Sequence, residues 1–337
     1  MKKQRSHTPR IRSRTSRQAP PSPPVLRVSG LTFAYPGRSV LRGISLEARE
    51  GEAVAILGPN GSGKSTLLKI IATLALPADG SVFLDRWDVA QHPGEARAHL
   101  GVVFQSPALD DKLTVLENLH FHGLLYGLAQ PLLGDRIKES LEVFRLWDRR
   151  HERVEKLSGG LQRRVELAKG ILHKPRLLLL DEPSTGLDPA ARLEFWYFLR
   201  RILRSAPMCA ILTTHLTDEA DRCDRVLIMD RGEALAMGSP GELKGKLGGD
   251  IVVLQSSDLQ KLRRKVHRHF RLDGTLSNTE LHLRVPGGAE VLPRLVRSFP
   301  ELIESATLRK PSLEDVFLQR TGHRLHHESA EATRGDS

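Results

Sequence analysis

The octapeptide Gly58-Pro-Asn-Gly-Ser-Gly-Lys-Ser65 constrains this chain more than any other stretch. It matches G-x-x-x-x-G-K-[ST], follows directly on the apolar run Ala53-Val-Ala-Ile-Leu57, and opens a segment with helical spacing over Lys64 to Leu74. A short apolar strand feeding a glycine loop and then a helix is the context in which this pattern binds phosphate. The glycines let successive backbone N–H groups turn inward, and the helix opening near Gly63 presents its positive end to an anion. In that reading Gly58, Pro59, Asn60, Gly61, Ser62, Gly63, Lys64, Ser65 and Thr66 contact the nucleotide. Lys64 reaches the β- and γ-phosphates, and the Ser65 hydroxyl ligates Mg²⁺.

The rest of the chain supplies the sheet that such a loop needs. Val25 to Tyr35 and Ile44 to Ala48 read as strands, and strand-like runs recur at Ser81–Leu84, Gly101–Phe104, Leu177–Leu180, Cys209–Thr213 and Arg225–Met229. Between Phe104 and Leu177 the spacing turns helical, as an insertion over about residues 106–172. Alternating strands and helices predict an α/β sheet with helices on its faces over residues 25–247. A second unit begins near Gly248-Gly249. It reads as strand Ile251–Gln255, helix Asp258–Phe270, strands near Leu272–Leu276 and Leu281–Val285, helix Ala289–Phe299 and strand Leu302–Leu308. That βαββαβ order predicts a small α+β, ferredoxin-like accessory domain over residues 248–322, closed by a helix at Leu313–Gln319. No phosphate-binding motif lies in it, so ending the chain after Leu247 is expected to spare the nucleotide chemistry of the first unit in solution.

Net charge is +11, and Lys2, Lys3, Arg5, Arg10, Arg12, Arg14 and Arg17 stand in the first stretch with no acid among them. The prolines that follow (Pro20, Pro21, Pro23, Pro24) forbid a helix interior, so residues 1–24 read as a solvated, disordered tail. A weak contact with anionic lipid is the alternative for that tail, and it lacks the apolar core of a secretory signal. Residues 323–337 also read as loose. No run approaches the roughly 18–20 apolar residues of a membrane-spanning helix. Cys209 and Cys223 have no metal-ligand spacing and fit reduced thiols, with Cys209 a small core residue.

A second chemical element is Leu177-Leu-Leu-Leu-Asp181-Glu182. A buried strand that ends in two carboxylates is costly unless those charges have partners. Asp181 is suited to hold Mg²⁺ through its waters, which leaves Glu182 to orient and deprotonate an attacking water.

The third element carries a resemblance. Leu157-Ser158-Gly159-Gly160-Leu161-Gln162 resembles the LSGGQ signature of the ABC ATPases and precedes the acidic pair at that family's spacing. Around it stand Gln105 after a strand (the Q-loop), Ser184-Thr-Gly-Leu-Asp188 (the D-loop) and His215 after another strand (the switch histidine). The resemblance implies a P-loop cassette with a helical subdomain and assigns further roles. Tyr35 stacks on adenine. Gln105 touches the metal and senses the γ-phosphate, and His215 contacts that phosphate and holds the attacking water. Leu157, Ser158, Gly159 and Gly160 complete the ATP site of a second subunit, with Asp188 in the D-loop between them. One departure stands out: Leu161 occupies the glutamine position of the signature, with Gln162 next.

Two longer stretches narrow the group. Phe104-Gln-Ser-Pro-Ala-Leu-Asp-Asp-Lys-Leu-Thr-Val-Leu-Glu-Asn-Leu119 and Pro311-Ser-Leu-Glu-Asp-Val-Phe-Leu-Gln-Arg-Thr-Gly322 are similar to the ATPases of ABC-2 exporters. The resemblance then implies a subunit that hydrolyses ATP with Mg²⁺ and dimerises with a copy of itself or a second ATPase. It implies an ABC-2 membrane permease as partner, no specific nucleic acid, and a cytoplasmic place on the inner face of the membrane. The alternatives are a soluble ABC ATPase acting on nucleic acid or ribosomes, and an importer ATPase with a regulatory C-terminal domain.

Overall fold

The computed structural model of the protein describes residues 23–277, 279–323 and 325. Nearly all of the tail read over residues 1–24, and all but two residues of 323–337, lie outside that set.

The chain opens with the antiparallel pair β1 (Leu26–Tyr35) and β2 (Arg38–Ala48), then runs through β3 (Ala53–Leu57) into α1 (Lys64–Ile71). Next come β4 (Asp79–Leu84), β5 (Trp87–Asp88), α2 (Pro93–Ala98) and β6 (Leu100–Val103). Three helices, α3 (Val115–Leu125), α4 (Leu132–Val143) and α5 (Gly159–Gly170), fill the stretch before β7 (Leu177–Asp181). The first unit closes with α6 (Pro189–Ser205), β8 (Cys209–Thr214), α7 (Thr217–Ala220), β9 (Arg225–Asp230), β10 (Glu233–Gly238) and α8 (Pro240–Gly245). Two boundaries in this unit differ from the sequence reading by three residues or more. α1 stops at Ile71 because Thr73 adopts φ 62°, which no helix can continue. β2 starts at Arg38, six residues before Ile44, on its pairing with Tyr35.

The central sheet has the order β10–β9–β3–β8–β7–β6 and is parallel except at its β10 edge. Both faces are buried, which is why its strands read as unbroken apolar runs. Ala53, Ala55, Leu57, Leu178, Leu180, Ala210 and Leu212 point into one core, shared with α3, α4, α5 and α6. Val54, Ile56, Leu177, Leu179, Cys209 and Ile211 point into the other, shared with α1 and the antiparallel sheet β2–β1–β4–β5. Cys209 is fully buried, and burial pushes its thiol up to about 12.

The C-terminal unit consists of β11 (Asp250–Gln255), α9 (Leu259–Phe270), β12 (Gly274–Ser277), β13 (Glu280–Val285), α10 (Gly288–Ser298) and β14 (Ser305–Arg309). Its sheet is antiparallel, in the order β12–β13–β11–β14. β14 begins after Leu302 because residues 299–303 are spent in a turn, with the Leu302 and Ile303 N–H groups donating to the Phe299 carbonyl. One sheet face buries Val252, Leu254, Leu281, Leu283 and Val285 against Leu262, Val266, Leu295 and Phe299 of the two helices.

The closing helix α11 (Leu313–Thr321) does not belong to that core. Ser312 caps it, with Asp315 completing a capping box. Leu313, Val316 and Phe317 then enter the first unit's core beside Ala220, Cys223, Leu243 and Leu247. Leu325, within the stretch read as loose, is buried in the same cluster. The change of sequence character at residues 247–248 is therefore not a packing boundary for the last helix.

Candidate active site

The phosphate loop is shaped by close backbone approach. A Cβ on Gly58 would lie 2.3 Å from the Met229 carbonyl oxygen, and one on Gly63 would lie 2.9 Å from Leu41 Cδ2. Gly61 and Gly63 sit at φ 78° and 102°, where a side chain is strained. Gly63 caps α1 without a side-chain bond, and the first turn of α1 holds no acidic residue. Its N–H groups and positive end are thus left for an anion. Lys64 folds back beneath the loop, with Nζ donating to the carbonyls of Gly58 at 2.8 Å and Pro59 at 2.9 Å. Burial lowers its pKa, while Glu182 and Asp181 pull it the other way. The Ser62 hydroxyl is buried in the loop with no partner, as expected of a loop made to accept a polar ligand.

Beside the loop, β7 delivers the carboxylates. Asp181 stands in register with Thr213 of β8, whose Oγ1 donates to Asp181 Oδ1 at 2.5 Å and accepts the Glu182 N–H at 2.9 Å. The Ser65 hydroxyl also donates to Asp181 Oδ1, at 3.4 Å, tying the start of α1 to the end of β7. These adjacent hard oxygens fit Mg²⁺ with water in its remaining positions. Glu182 adopts φ 42°, an uncommon conformation for a non-glycine residue, and leaves the strand direction at this point. Three groups then converge on its carboxylate. Gln105 Nε2 and Thr185 Oγ1 each donate to Oε2 at 3.3 Å, and His215 Nδ1 lies 3.3 Å from Oε1. His215 is fixed from both sides: Thr214 Oγ1 accepts the Leu216 N–H and donates to buried Glu219 at 2.6 Å. Burial raises the Glu219 pKa, and the Thr214 bond works against that rise.

Among the residues singled out from the sequence, the structure brings together residues 58–66, Gln105, Asp181, Glu182 and His215. Tyr35 is half exposed, with its ring edge-on to Phe33 at 4.9 Å. Ser158 caps α5 by accepting the Leu161 N–H, Gly159 is exposed, and Gly160 lies where a Cβ would meet Ala191 at 2.8 Å. Among the described residues no hydrogen bond joins residues 157–160 to the phosphate loop. Asp188 caps α6, accepting the Ala190 and Ala191 N–H groups at 2.9 Å. Gln162 is occupied structurally, donating to the carbonyls of Val154 and Leu157, and Leu161 packs on the core.

Sequence reasoning missed Thr185, Thr213 and one clamp. Thr185 lies inside the quoted D-loop stretch, whereas Thr213 matters only through the β7–β8 register. The clamp is Arg163 of α5, which donates to the carbonyls of Pro183 at 2.6 Å and Phe104 at 2.7 Å and pairs with buried Glu166. Glu166 accepts the Ala108 N–H, and Lys169 donates to the Ala108 carbonyl. The signature helix is thereby fastened to the loops that carry Gln105 and Glu182. Spacing i, i+3, i+6 on one helix was the available signal, but the same spacing also describes a solvated face.

Comparison with known proteins follows this geometry. The ABC transporter family model matches residues 41–185. The chain is 35% identical over 314 residues to the daunorubicin resistance ATP-binding protein DrrA2 of Streptomyces coeruleorubidus, covering 90% of this chain and 97% of that protein. It is 36% identical over 320 residues to the Nod factor export ATP-binding protein I of Ralstonia nicotianae, covering 91% and 98%. The structure of cbiO1 from Clostridium perfringens, part of the ABC transporter complex cbiONQ, is 27% identical and superposes with a TM-score of 0.62 over 74% of this chain and 96% of that one. With nine-tenths of its length shared with such ATP-binding proteins, the chain belongs to the ABC transporter family, as one of its ATP-hydrolysing subunits.

Proposed function

We propose that this subunit energises export through a separate ABC-2 type membrane permease. Among the described residues no helix is long and apolar enough to cross a membrane, which agrees with a permease on a separate chain. The relatives named for daunorubicin resistance and Nod factor export support the direction of transport, and neither name points to nucleic acid or ribosomes. The working place is the cytoplasmic side of the membrane. Residues 250–309 form a ferredoxin-like accessory domain on the cassette, and α11 fastens it by packing into the cassette's own core.

The observation that carries the catalytic reading is the convergence of Gln105, Thr185 and His215 on Glu182, next to the phosphate loop. Lys64 and the loop N–H groups hold the phosphates, and Tyr35 stacks on the base. Ser65, Asp181 and Gln105 would hold Mg²⁺, which would neutralise charge on the phosphate oxygens. Glu182 takes the proton of the water that attacks the γ-phosphorus, and His215 keeps that water in line. Two chains meet head to tail, so that Leu157–Gly160 of each closes the site of the other, with Asp188 at the seam. The exposure of Ser158 and Gly159 supports this, and among the described residues neither bonds to its own phosphate loop.

Single-turnover hydrolysis tests the assignment. Glu182→Gln keeps the shape and the ATP contacts but removes the base, so the rate is expected to fall by about 10²–10⁴ with nucleotide affinity retained. A rate near that of the parent protein would remove Glu182 from the base role. Co-purification with a membrane protein encoded beside this chain tests the partner.

A further inference from the structure

The end of the C-terminal segment touches the phosphate loop at one remove. The β9–β10 connection is a two-residue turn in which Arg231 and Gly232 adopt φ 47° and 82°, a type I′ arrangement. It is wedged without slack. The Gly232 N–H donates to the Ser62 carbonyl at 3.0 Å, and the Gly232 carbonyl accepts the Arg42 N–H at 2.9 Å. A Cβ on Gly232 would stand 2.1 Å from the Val40 carbonyl oxygen. Two residues before the turn, the Met229 carbonyl presses on Gly58. This hairpin therefore buttresses the phosphate loop at both Gly58 and Ser62.

Asp230 is one of the two residues between those contacts, and it is held from the far end of the chain. α11 docks through Leu313, Val316 and Phe317, and Gly322 at φ 78° ends it and turns the chain. His323 Nε2 then donates to Asp230 Oδ2 at 3.2 Å. Its ring lies edge-on to Phe317 at 5.4 Å, its N–H donates to Thr321 Oγ1, and Leu325 is buried beyond it. Ninety-three residues of sequence separate the partners of this hydrogen bond. Holding a carboxylate by a ring N–H at the base of a tight turn restricts the turn, and so restricts the loop packed upon it.

We propose that His323 and Asp230 form a positioning pair that sets the phosphate loop for nucleotide, so that ATP affinity depends on docking of the C-terminal segment. Neither residue is a catalytic residue; both act through the Met229–Gly232 backbone. Because coupling of binding equilibria is reciprocal, bound nucleotide must in turn tighten the docking of residues 313–325.

The inference rests on the phosphate-loop reading above, and the test separates the two. Equilibrium binding of a fluorescent ATP analogue and the KM and kcat for ATP are measured on the full chain for Lys64→Ala, His323→Ala, His323→Gln and Asp230→Asn, with Tm for each. His323→Ala and Asp230→Asn are expected to raise Kd and KM by about 3- to 10-fold, the range of one hydrogen bond to a charged group, with kcat within about twofold of the parent. His323→Gln, which keeps an N–H at the ring nitrogen's position, restores most of that loss. The double variant His323→Ala/Asp230→Asn is expected to be no worse than either alone. Unchanged Kd and KM in His323→Ala, or a fall in Tm with no change in affinity, would overturn the proposal. Loss of binding in Lys64→Ala alongside unaffected His323→Ala refutes the positioning pair alone, whereas full binding by Lys64→Ala refutes the loop assignment beneath it.

Discussion

The central sheet of the first unit is buried on both faces by apolar contacts, whereas the sheet of the C-terminal unit buries one face in its own apolar core and mixes polar and apolar residues on the other. The difference decides where chemistry can sit. In the first unit, strand interiors have no room for polar groups, so Asp181, Glu182, Thr213 and His215 gather where the parallel strands end and the loops begin. In the C-terminal unit the second face is mixed: His282 and Arg284 on β13 share it with Val253 and buried Ile251 of β11. α9 buries Leu262 and Val266 and leaves Lys261, Arg264, Lys265 and Arg268 in solvent. Polar groups in the second unit satisfy packing and hydration, while those in the first converge on one place. α11 joins the two: it is continuous with the second unit in sequence and with the first in packing.

The contrast between the two units is largest at the site itself. Lys64→Ala removes a charge-assisted contact worth roughly 1.5–3 kcal/mol from the bound nucleotide and is expected to abolish steady-state hydrolysis. Turnover by this variant, in a phosphate-release assay, would mean that the polar convergence in the first unit is not the catalytic one.

Core substitutions come next. Phe317→Ala, in α11 but fully buried in the first unit's core, is expected to cost about 3–5 kcal/mol and to lower the unfolding temperature of the nucleotide-binding unit. Leu262→Ala, in the second unit's own core, is expected to cost about 2–5 kcal/mol there and leave ATP binding in place. Calorimetry with and without nucleotide distinguishes the two, because only the first transition then moves with the Phe317 variant. The same packing changes what to expect of a chain ended after Leu247: it uncovers the apolar surface of Cys223, Leu243 and Leu247, so solution ATPase activity should fall with solubility.

The junction gives a smaller effect. Burial works against the charge of Asp315, but His282, the Arg309 guanidinium and the Ser312 groups more than offset it and hold the carboxyl well below the usual range. A depressed carboxylate stabilises the fold fully above its unfolded pKa of about 3.9, and the stabilisation is lost as pH falls through the folded value. Asp315→Asn is therefore expected to cost roughly 1–3 kcal/mol at neutral pH and less in strong acid, as read from urea titrations at two pH values. Smallest of all, removing the residues before Val25 is expected to leave Tm and ATPase activity nearly unchanged; a large loss of Tm would show that they pack on the domain.

How much was legible in the sequence follows the same division. The phosphate loop could be read because few residue types fit it: Gly58 abuts a carbonyl, and Gly61 and Gly63 need positive φ. The two carboxylates could be read because charge at the end of four leucines demands a reason. Gln105 and His215 gained meaning only from order and spacing beside those elements. Thr213 stayed invisible because its role comes from strand register, and Arg163 because its partners are backbone carbonyls of distant loops. The destination of α11 was hidden for a related reason. An amphipathic pattern gives the face that will be buried, not the core that receives it.

A catalytic site shared between two chains can be tested by mixing two inactive variants. Lys64→Ala disables a chain's own phosphate loop, and Ser158→Arg disables the signature that it lends to a partner. Each variant alone is expected to be inactive. In a mixed dimer one site combines both defects and the other has neither, so an equimolar mixture should recover about a quarter of the parent ATPase activity if chains pair at random in a two-fold dimer. An equimolar mixture as inactive as its components, under conditions where size exclusion shows mixed dimers, would contradict a site shared between two chains.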